Sequence, residues 1–193
     1  MPEASLDDIS RYTQKFDIPE MIARLLVQRG VQESEVEGFL NPTLKNKFPD
    51  PFALKGMGDA AEDLAIAIEE GKNFAIFGDF DVDGATSSAV LYRFLAGVGV
   101  NVPIYIPDRL SEGYGPNIDA LRLLKEQGAD VLMMLDCGTT AFDVVKAGTD
   151  LGLKIVILDH HESEDHLPEC WHVINPKRKD DSSGLDMLAA VGV

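Results

Sequence analysis

Three short stretches carry residue types and spacings that could do chemistry. They are Gly78-Asp79-Phe80-Asp81-Val82-Asp83-Gly84, Leu135-Asp136-Cys137-Gly138-Thr139-Thr140 and Leu158-Asp159-His160-His161-Glu162. Each begins where an apolar run stops. In the first, carboxylates alternate with apolar side chains, and alternate side chains of an extended segment point to the same side. Three converging carboxylates repel one another strongly and need a cation between them. Mg2+ and Mn2+ are hard ions that favour carboxylate oxygens. In the third stretch two adjacent histidines are flanked by acids, in a chain that has four histidines in all. Imidazole is a strong ligand for Mn2+ and other transition metals. A neighbouring carboxylate commonly orients a ligating imidazole through its second nitrogen, a task open to Asp159. Acidic and imidazole ligands after three strands of one sheet make a dinuclear metal site the leading expectation. Two close cations suit phosphoryl chemistry, since they activate a bridging water and neutralise charge on phosphate.

Blander readings exist for each stretch. Asp-x-Asp-x-Asp-Gly also opens a calcium-binding EF-hand loop. That loop needs a bidentate Glu at its twelfth position, which counted from Asp79 is Val90. It also needs a preceding helix where a strand is expected here, so the EF-hand is rejected. A solvated acidic turn is disfavoured because a strand-to-helix junction is half-buried. Asp136 could simply cap the helix that follows it. Thr139 or Thr140 could cap instead, which would leave Asp136 free. His166 and His172 fall in a polar, loop-like stretch and receive no function.

Positioning these groups requires a scaffold, and the apolar pattern describes one. Phe74 to Phe77, Val102 to Ile106, Val131 to Leu135 and Ile155 to Leu158 read as short buried strands. Between them, Ala61 to Ile68, Leu91 to Val98, Ile118 to Leu124 and Thr140 to Thr149 read as helices. The helix after the triple-aspartate turn is expected to start near Thr86, with Gly84 permitting the sharp turn into it. Short apolar strands alternating with helices predict an α/β fold, a mostly parallel sheet with helices on both faces. In such sheets ligands bind beyond the carboxyl ends of the strands, where all three stretches fall. Residues 1–55 read as a small helical appendage, with short helices over Pro19–Arg29 and Glu33–Leu40. Asn41-Pro42 and Asp50-Pro51 then break the chain into loop. Residues 56–193 form the expected catalytic domain.

Composition narrows the class. Apolar residues make up 45% of the chain and charged residues 26%, which supports an ordinary packed core. No apolar run approaches the ~20 residues that span a bilayer, and the acidic start is no secretory signal. Cys137 and Cys170 form no CxxC pair and read as reduced thiols of a cytoplasmic protein. The net charge of −16 argues against a broad basic face for nucleic acid. The densest basic cluster, Lys177-Arg178-Lys179, is followed at once by Asp180-Asp181 and reads as a solvated loop.

Asp159-His160-His161 is the tripeptide after which the DHH phosphoesterases are named. Gly78 to Gly84 resembles their first motif and Asp136-Cys137-Gly138 their second. The closer likeness is to the RecJ exonucleases within that family. It rests on Pro107-Asp108-Arg109-Leu110 through Glu112-Gly113-Tyr114-Gly115, on Leu40-Asn41-Pro42 and Asp50-Pro51-Phe52, and on Leu188 to Val193. The resemblance implies two Mn2+ or Mg2+ ions held by Asp79, Asp81, Asp83, Asp136 and His160, with Asp136 bridging. It implies that His161 stands beside the scissile phosphate as donor or acid, that Arg109 clamps phosphate, and that Tyr114 packs against nucleotide. A surface salt bridge is the alternative for Arg109. The implied reaction is stepwise hydrolysis of single-stranded DNA from its 5′ end in repair and recombination, with repair or replication proteins as possible partners and no membrane. RecJ-like chains continue past Val193 with another metal-binding Asp and with domains that grip nucleic acid. The chain is therefore expected to be an amino-terminal fragment, weakly active or inactive alone. Other DHH phosphodiesterases act on short oligonucleotides, cyclic dinucleotides or pyrophosphate, and some relatives are non-catalytic replication scaffolds with eroded ligands.

Overall fold

The computed structural model describes residues 5–43 and 48–193, which separate into a unit ending at Asp50 and a unit beginning at Pro51. The first unit holds three helices, α1 (Leu6–Phe16), α2 (Glu20–Gln28) and α3 (Val36–Leu40). Ile9, Tyr12, Ala23, Leu26, Val31 and Val36 form its core. The Tyr12 hydroxyl donates to the Val31 carbonyl at 2.8 Å and satisfies a buried polar group. Helix α1 was not anticipated, because the acidic start masks the apolar stripe of Ile9, Tyr12 and Phe16. The loop expected between Asn41-Pro42 and Asp50-Pro51 lies partly outside the described residues.

The second unit is built on five parallel strands in the order β2-β1-β3-β4-β5. After a short turn at Pro51–Ala53, the elements run α4 (Met57–Glu69), β1 (Phe74–Gly78), α5 (Val82–Gly97), β2 (Ile104–Tyr105), α6 (Ile118–Glu126), β3 (Val131–Leu135), α7 (Phe142–Asp150), β4 (Lys154–Leu158) and β5 (His172–Ile174). A 3-10 turn, Ala190–Gly192, lies near the end. Alternate strand residues supply two separate cores, as the pleat requires. Ala75, Phe77, Leu132, Met134, Ile155 and Ile157 meet Leu121 and Leu124 of α6 and Val145 of α7. Phe74, Ile76, Val131, Met133 and Val156 meet Ala67 of α4 and Leu95 of α5. Both faces are thus covered, and the α/β reading holds. No helix among the described residues is long and apolar enough to cross a membrane.

Three local expectations are corrected. Strand β2 is only Ile104–Tyr105, because Pro103 has no N–H to extend an edge ladder. The stretch around His172 is not all loop: His172–Ile174 pairs with β4 as an edge strand too short to announce itself. Arg178 is not a solvated side chain. It is largely buried, donates to the Val173 carbonyl at 2.6 Å and pairs with Asp180, so it straps the end of β5.

Candidate metal centre

The strand order reverses direction between β1 and β3, which opens a crevice above their carboxyl ends. Register then does the positioning. Gly78, Leu135 and Leu158, the last residues of β1, β3 and β4, are paired in one row. The next residue of each strand is an aspartate. The Asp79 N–H donates to Leu135, that of Asp136 to Leu158, and that of Asp159 to Ile174 at the end of β5. Three carboxyl-bearing positions therefore sit side by side at the mouth of the sheet, and all three are buried.

The first motif departs from the extended geometry expected of it. Helix α5 starts at Val82, not near Thr86, because Asp81 caps it. Its Oδ1 accepts from the N–H groups of Asp83 at 2.8 Å and Gly84 at 3.1 Å. The hydrogen bond from Gly84 is the main reason the Asp81 carboxyl stays below its ordinary range. Asp83 consequently lies on the first helical turn. Its carboxylate accepts from the N–H groups of Ala190 and Val191 at 2.7 and 2.8 Å, and its Oδ2 lies 3.4 Å from His160 Nε2. A Cβ at Gly84 would lie 2.4 Å from the Asp79 carbonyl oxygen, so only glycine lets the helix start against that backbone.

Asp136 stands at the centre. Its φ of 60° is left-handed, a costly conformation for a residue with a side chain and one that collects at functional sites. Its Oδ1 lies 3.3 Å from His160 Nε2 and 3.9 Å from His161 Nδ1. Ligand atoms of Asp79, Asp81 and Asp136 all lie within 4.8 Å of one another, and so do those of Asp136, His160 and His161. Asp136 belongs to both groups, and Asp83 to neither. Burial, followed by the charges of Asp83 and Asp81, pushes the Asp136 carboxyl up to about 7. Burial also raises Asp79.

Asp159 belongs to neither group and organises the histidine turn. Its Oδ1 accepts from the N–H of His160 at 2.7 Å and of His161 at 3.2 Å, and it meets His161 Nδ1 at 2.7 Å. Its Oδ2 accepts from the Thr139 N–H at 3.0 Å. Burial opposes its charge, but the hydrogen bonds from His161 and Thr139 win and hold it below the usual carboxylate range. The imidazole that Asp159 orients is therefore that of His161. Burial works against the His161 cation, yet Asp159 outweighs it and raises the His161 pKa. Such a ring presents Nε2 outward, able to donate a proton.

A cleft of about 360 Å³ adjoins the site, lined by Asp79, Asp136, Asp159 and His161 on one side and by Tyr114, Pro116, Ala141 and Val144 on the other. Tyr114 meets Phe80 edge to face at 5.9 Å, and the Arg109 guanidinium lies 4.8 Å over the other aromatic partner's ring, that of Phe80. Among the described residues Arg109 has no ion-pair partner. Sequence reasoning missed Phe80, although it sits inside the first motif.

A parallel α/β sheet whose strand ends gather four aspartates and two histidines around a crevice defines a carboxylate–imidazole metal-binding domain. The chain belongs to the DHH family: residues 73–192 match the model of the DHH family, N-terminal domain. It is 37% identical over 187 residues to the single-stranded-DNA-specific exonuclease RecJ of Bacillus subtilis, covering 97% of this chain and 24% of that one. It is 32% identical to the RecJ of Escherichia coli, over 92% of this chain and 30% of the relative. The chain thus spans less than a third of the length of these relatives. A crystal structure of exonuclease RecJ bound to manganese superposes with a TM-score of 0.65 at 33% identity, covering 72% of this chain and 35% of that one. RecJ of Thermus thermophilus in complex with Mn2+ superposes with a TM-score of 0.71 at 25% identity, covering all of this chain and 26% of that one.

Proposed function

We propose that residues 56–193 are the metal-binding part of a phosphodiesterase that degrades single-stranded DNA stepwise from its 5′ end. The observation that carries this reading is a pair of orphaned oxygens. Asp79 Oδ1 and Asp136 Oδ1 are buried without a hydrogen-bond partner. Two such atoms side by side are costly unless a cation satisfies both. The donor set is all carboxylate and imidazole, which suits Mn2+ or Mg2+. Asp79, Asp81, Asp83, Asp136 and His160 would hold two ions, with Asp136 shared between them. When bound, the ions would supply an activated water and charge neutralisation at phosphate.

The chain's own side chains account for the rest. His161, held by Asp159 with Nε2 outward, donates a hydrogen bond or proton at the scissile phosphate. Arg109, stacked on Phe80, offers its fork to a phosphate, and guanidinium geometry suits that role. Tyr114 provides an aromatic wall for the nucleotide. The net charge of −16 leaves backbone affinity to the cations and to the parts of the relatives that lie outside the aligned quarter to third. The chain on its own is accordingly expected to show weak or no nuclease activity.

The test is to incubate the full-length protein with 5′-phosphorylated single-stranded DNA, a dinucleotide and pyrophosphate, with and without Mn2+. Mononucleotides should appear from the 5′ end of the DNA only with the ion. Turnover of the dinucleotide or pyrophosphate alone would make it a different DHH phosphoesterase. Activity unchanged by Asp136→Ala would make this domain a scaffold.

A further inference from the structure

One polar side chain bound into the site is neither charged nor a metal ligand. Asn175 directly follows β5 and is wholly buried, at 0% exposure. Its Nδ2 donates to Thr139 Oγ1 and to the His161 carbonyl, both at 2.9 Å. Its Oδ1 accepts from the Lys177 N–H at 2.8 Å. Both amide hydrogens are thus committed, and neither reaches the ladder of its own strand. Thr139 and His161 in turn both donate to Asp159 through their N–H groups. The four residues close a ring that joins the ends of β3, β4 and β5.

We infer that Asn175 is a positioning residue for His161: its amide ties the His161 carbonyl to the Thr139 hydroxyl and so fixes where the imidazole stands relative to Asp136. The inference rests on the phosphodiesterase reading above for what His161 does, but not for how it is held. The His161 side chain is 46% exposed, and among the described residues Asp159 is the hydrogen-bond partner of its ring, at 2.7 Å, with Asp136 Oδ1 at 3.9 Å and the His160 ring at 4.9 Å beside it. Half-exposed as it is, its placement depends on the turn that carries it, and the neighbouring His160 ring rides on that same turn. Asp159 grips that turn from its N–H side and Asn175 from its carbonyl side. An apolar residue of similar volume could fill the space behind β5 but could not hold the carbonyl. A buried amide is also fussy about geometry, because an unmet donor there is costly. Arg109 and Tyr114 take no part in the ring, so substrate capture should be separable from it.

The test uses full-length Mn2+-loaded protein and single-stranded DNA, with kcat expressed per Mn2+-binding site. Asn175→Asp keeps the volume and the acceptor for Lys177 but removes both donors. It should lower kcat about ten- to a hundredfold, the loss expected when a catalytic group is misplaced by on the order of 1 Å, and leave KM within about twofold. Thr139→Val, which removes only the hydroxyl acceptor, should lower kcat several-fold, and Thr139→Ser should restore most of that loss. In metal-free protein, hydrogen exchange should speed up in peptides spanning 136–141 and 158–163 but not in β1. A kcat for Asn175→Asp near that of wild type overturns the inference. If Asn175→Asp does not fold, the Thr139 pair decides, and equal kcat in Val and Ser variants overturns it. If wild-type protein does not cleave DNA, the proposed function fails instead, and unchanged exchange at both peptides in the variant would overturn the positioning role separately.

Discussion

The raised pKa of Asp136 makes a prediction whose sign is opposite with and without metal. Asp136 is 2% exposed, and its carboxyl is pushed from 3.8 up to about 7 by burial and by Asp83 and Asp81. In the metal-free protein the native state therefore holds this proton more tightly than the unfolded chain does. Stability should fall as pH rises from about 4 to about 7, because unfolding releases the proton across that window. Replacing Asp136 with Asn removes the charge and keeps the shape. The shift of about three pH units corresponds to at most about 4 kcal/mol at 1.36 kcal/mol per unit. Asp136→Asn should thus stabilise the metal-free protein by up to about 4 kcal/mol at pH 8, and by less than about 2 kcal/mol at pH 5. For a domain of this size the pH 8 gain is an upward shift in Tm on the order of 10 °C. Mn2+ should invert the order, since a cation held between the carboxylates would turn repulsion into attraction. Wild-type protein should gain stability from Mn2+ at pH 8, and the gain should fade as protons compete below about pH 7. Asp136→Asn should gain little at any pH. The assay is thermal unfolding at pH 5, 7 and 8 in chelator and in Mn2+. An Asn variant less stable than wild type in chelator at pH 8 would refute the reasoning. So would a variant whose Tm still climbs with Mn2+ as wild type does.

Two further outcomes follow from named contacts. Gly84→Ala places a methyl 2.4–2.7 Å from the Asp79 backbone, where neither side can give. It should cost about 3 kcal/mol or more, read as a lower denaturant midpoint at unchanged slope. Arg109→Ala should raise KM for 5′-phosphorylated DNA roughly tenfold with kcat little changed, the worth of one charge-assisted hydrogen bond. Arg109→Lys should not restore it, because an ammonium lacks the planar fork that stacks on Phe80. Steady-state kinetics on full-length protein would show either failure.

The parallel sheet and the three acidic strand ends were legible because both depend on local pattern. An apolar run of four or five residues followed by Asp states its own place in a parallel sheet: strand, then mouth. Pairing in one row then brings Asp79, Asp136 and Asp159 together without further information. What the pattern misled on was direction. Alternation from Asp79 to Asp83 implied three carboxylates on one extended edge. Asp81 instead turns the chain into α5 by capping it, which carries Asp83 onto a helical turn toward His160. A cap and a strand residue look alike in sequence when the spacing is two, and only the hydrogen bonds separate them. Asp159 shows the same limit, since its type suggested a carboxylate that orients an imidazole, but only the hydrogen bonds show that the imidazole is that of His161 and that Asp159 also anchors the turn.

Contacts between distant residues explain the remainder. Asp83 is held by N–H groups at Ala190 and Val191, and no periodicity links positions so far apart. Asn175 follows a three-residue strand and carries no charge, so nothing local distinguishes it from any loop asparagine. Yet these two side chains tie distant segments to the site, Asp83 from α5 to Ala190 and Val191 near the chain's end, and Asn175 from just beyond the edge strand to Thr139 and His161. The clustered carboxylates repel one another, and Asp136 is strained as well, as its left-handed backbone and raised pKa show. Such a cluster holds its geometry only if surrounding groups over-determine it. The uncharged and backbone donors supplied by Asn175, Thr139, Ala190 and Val191 do this without adding cations that would compete with the metal. That division of labour accounts for an acidic site that is nearly free of Lys and Arg at its centre, with Arg109 kept at the rim on Phe80.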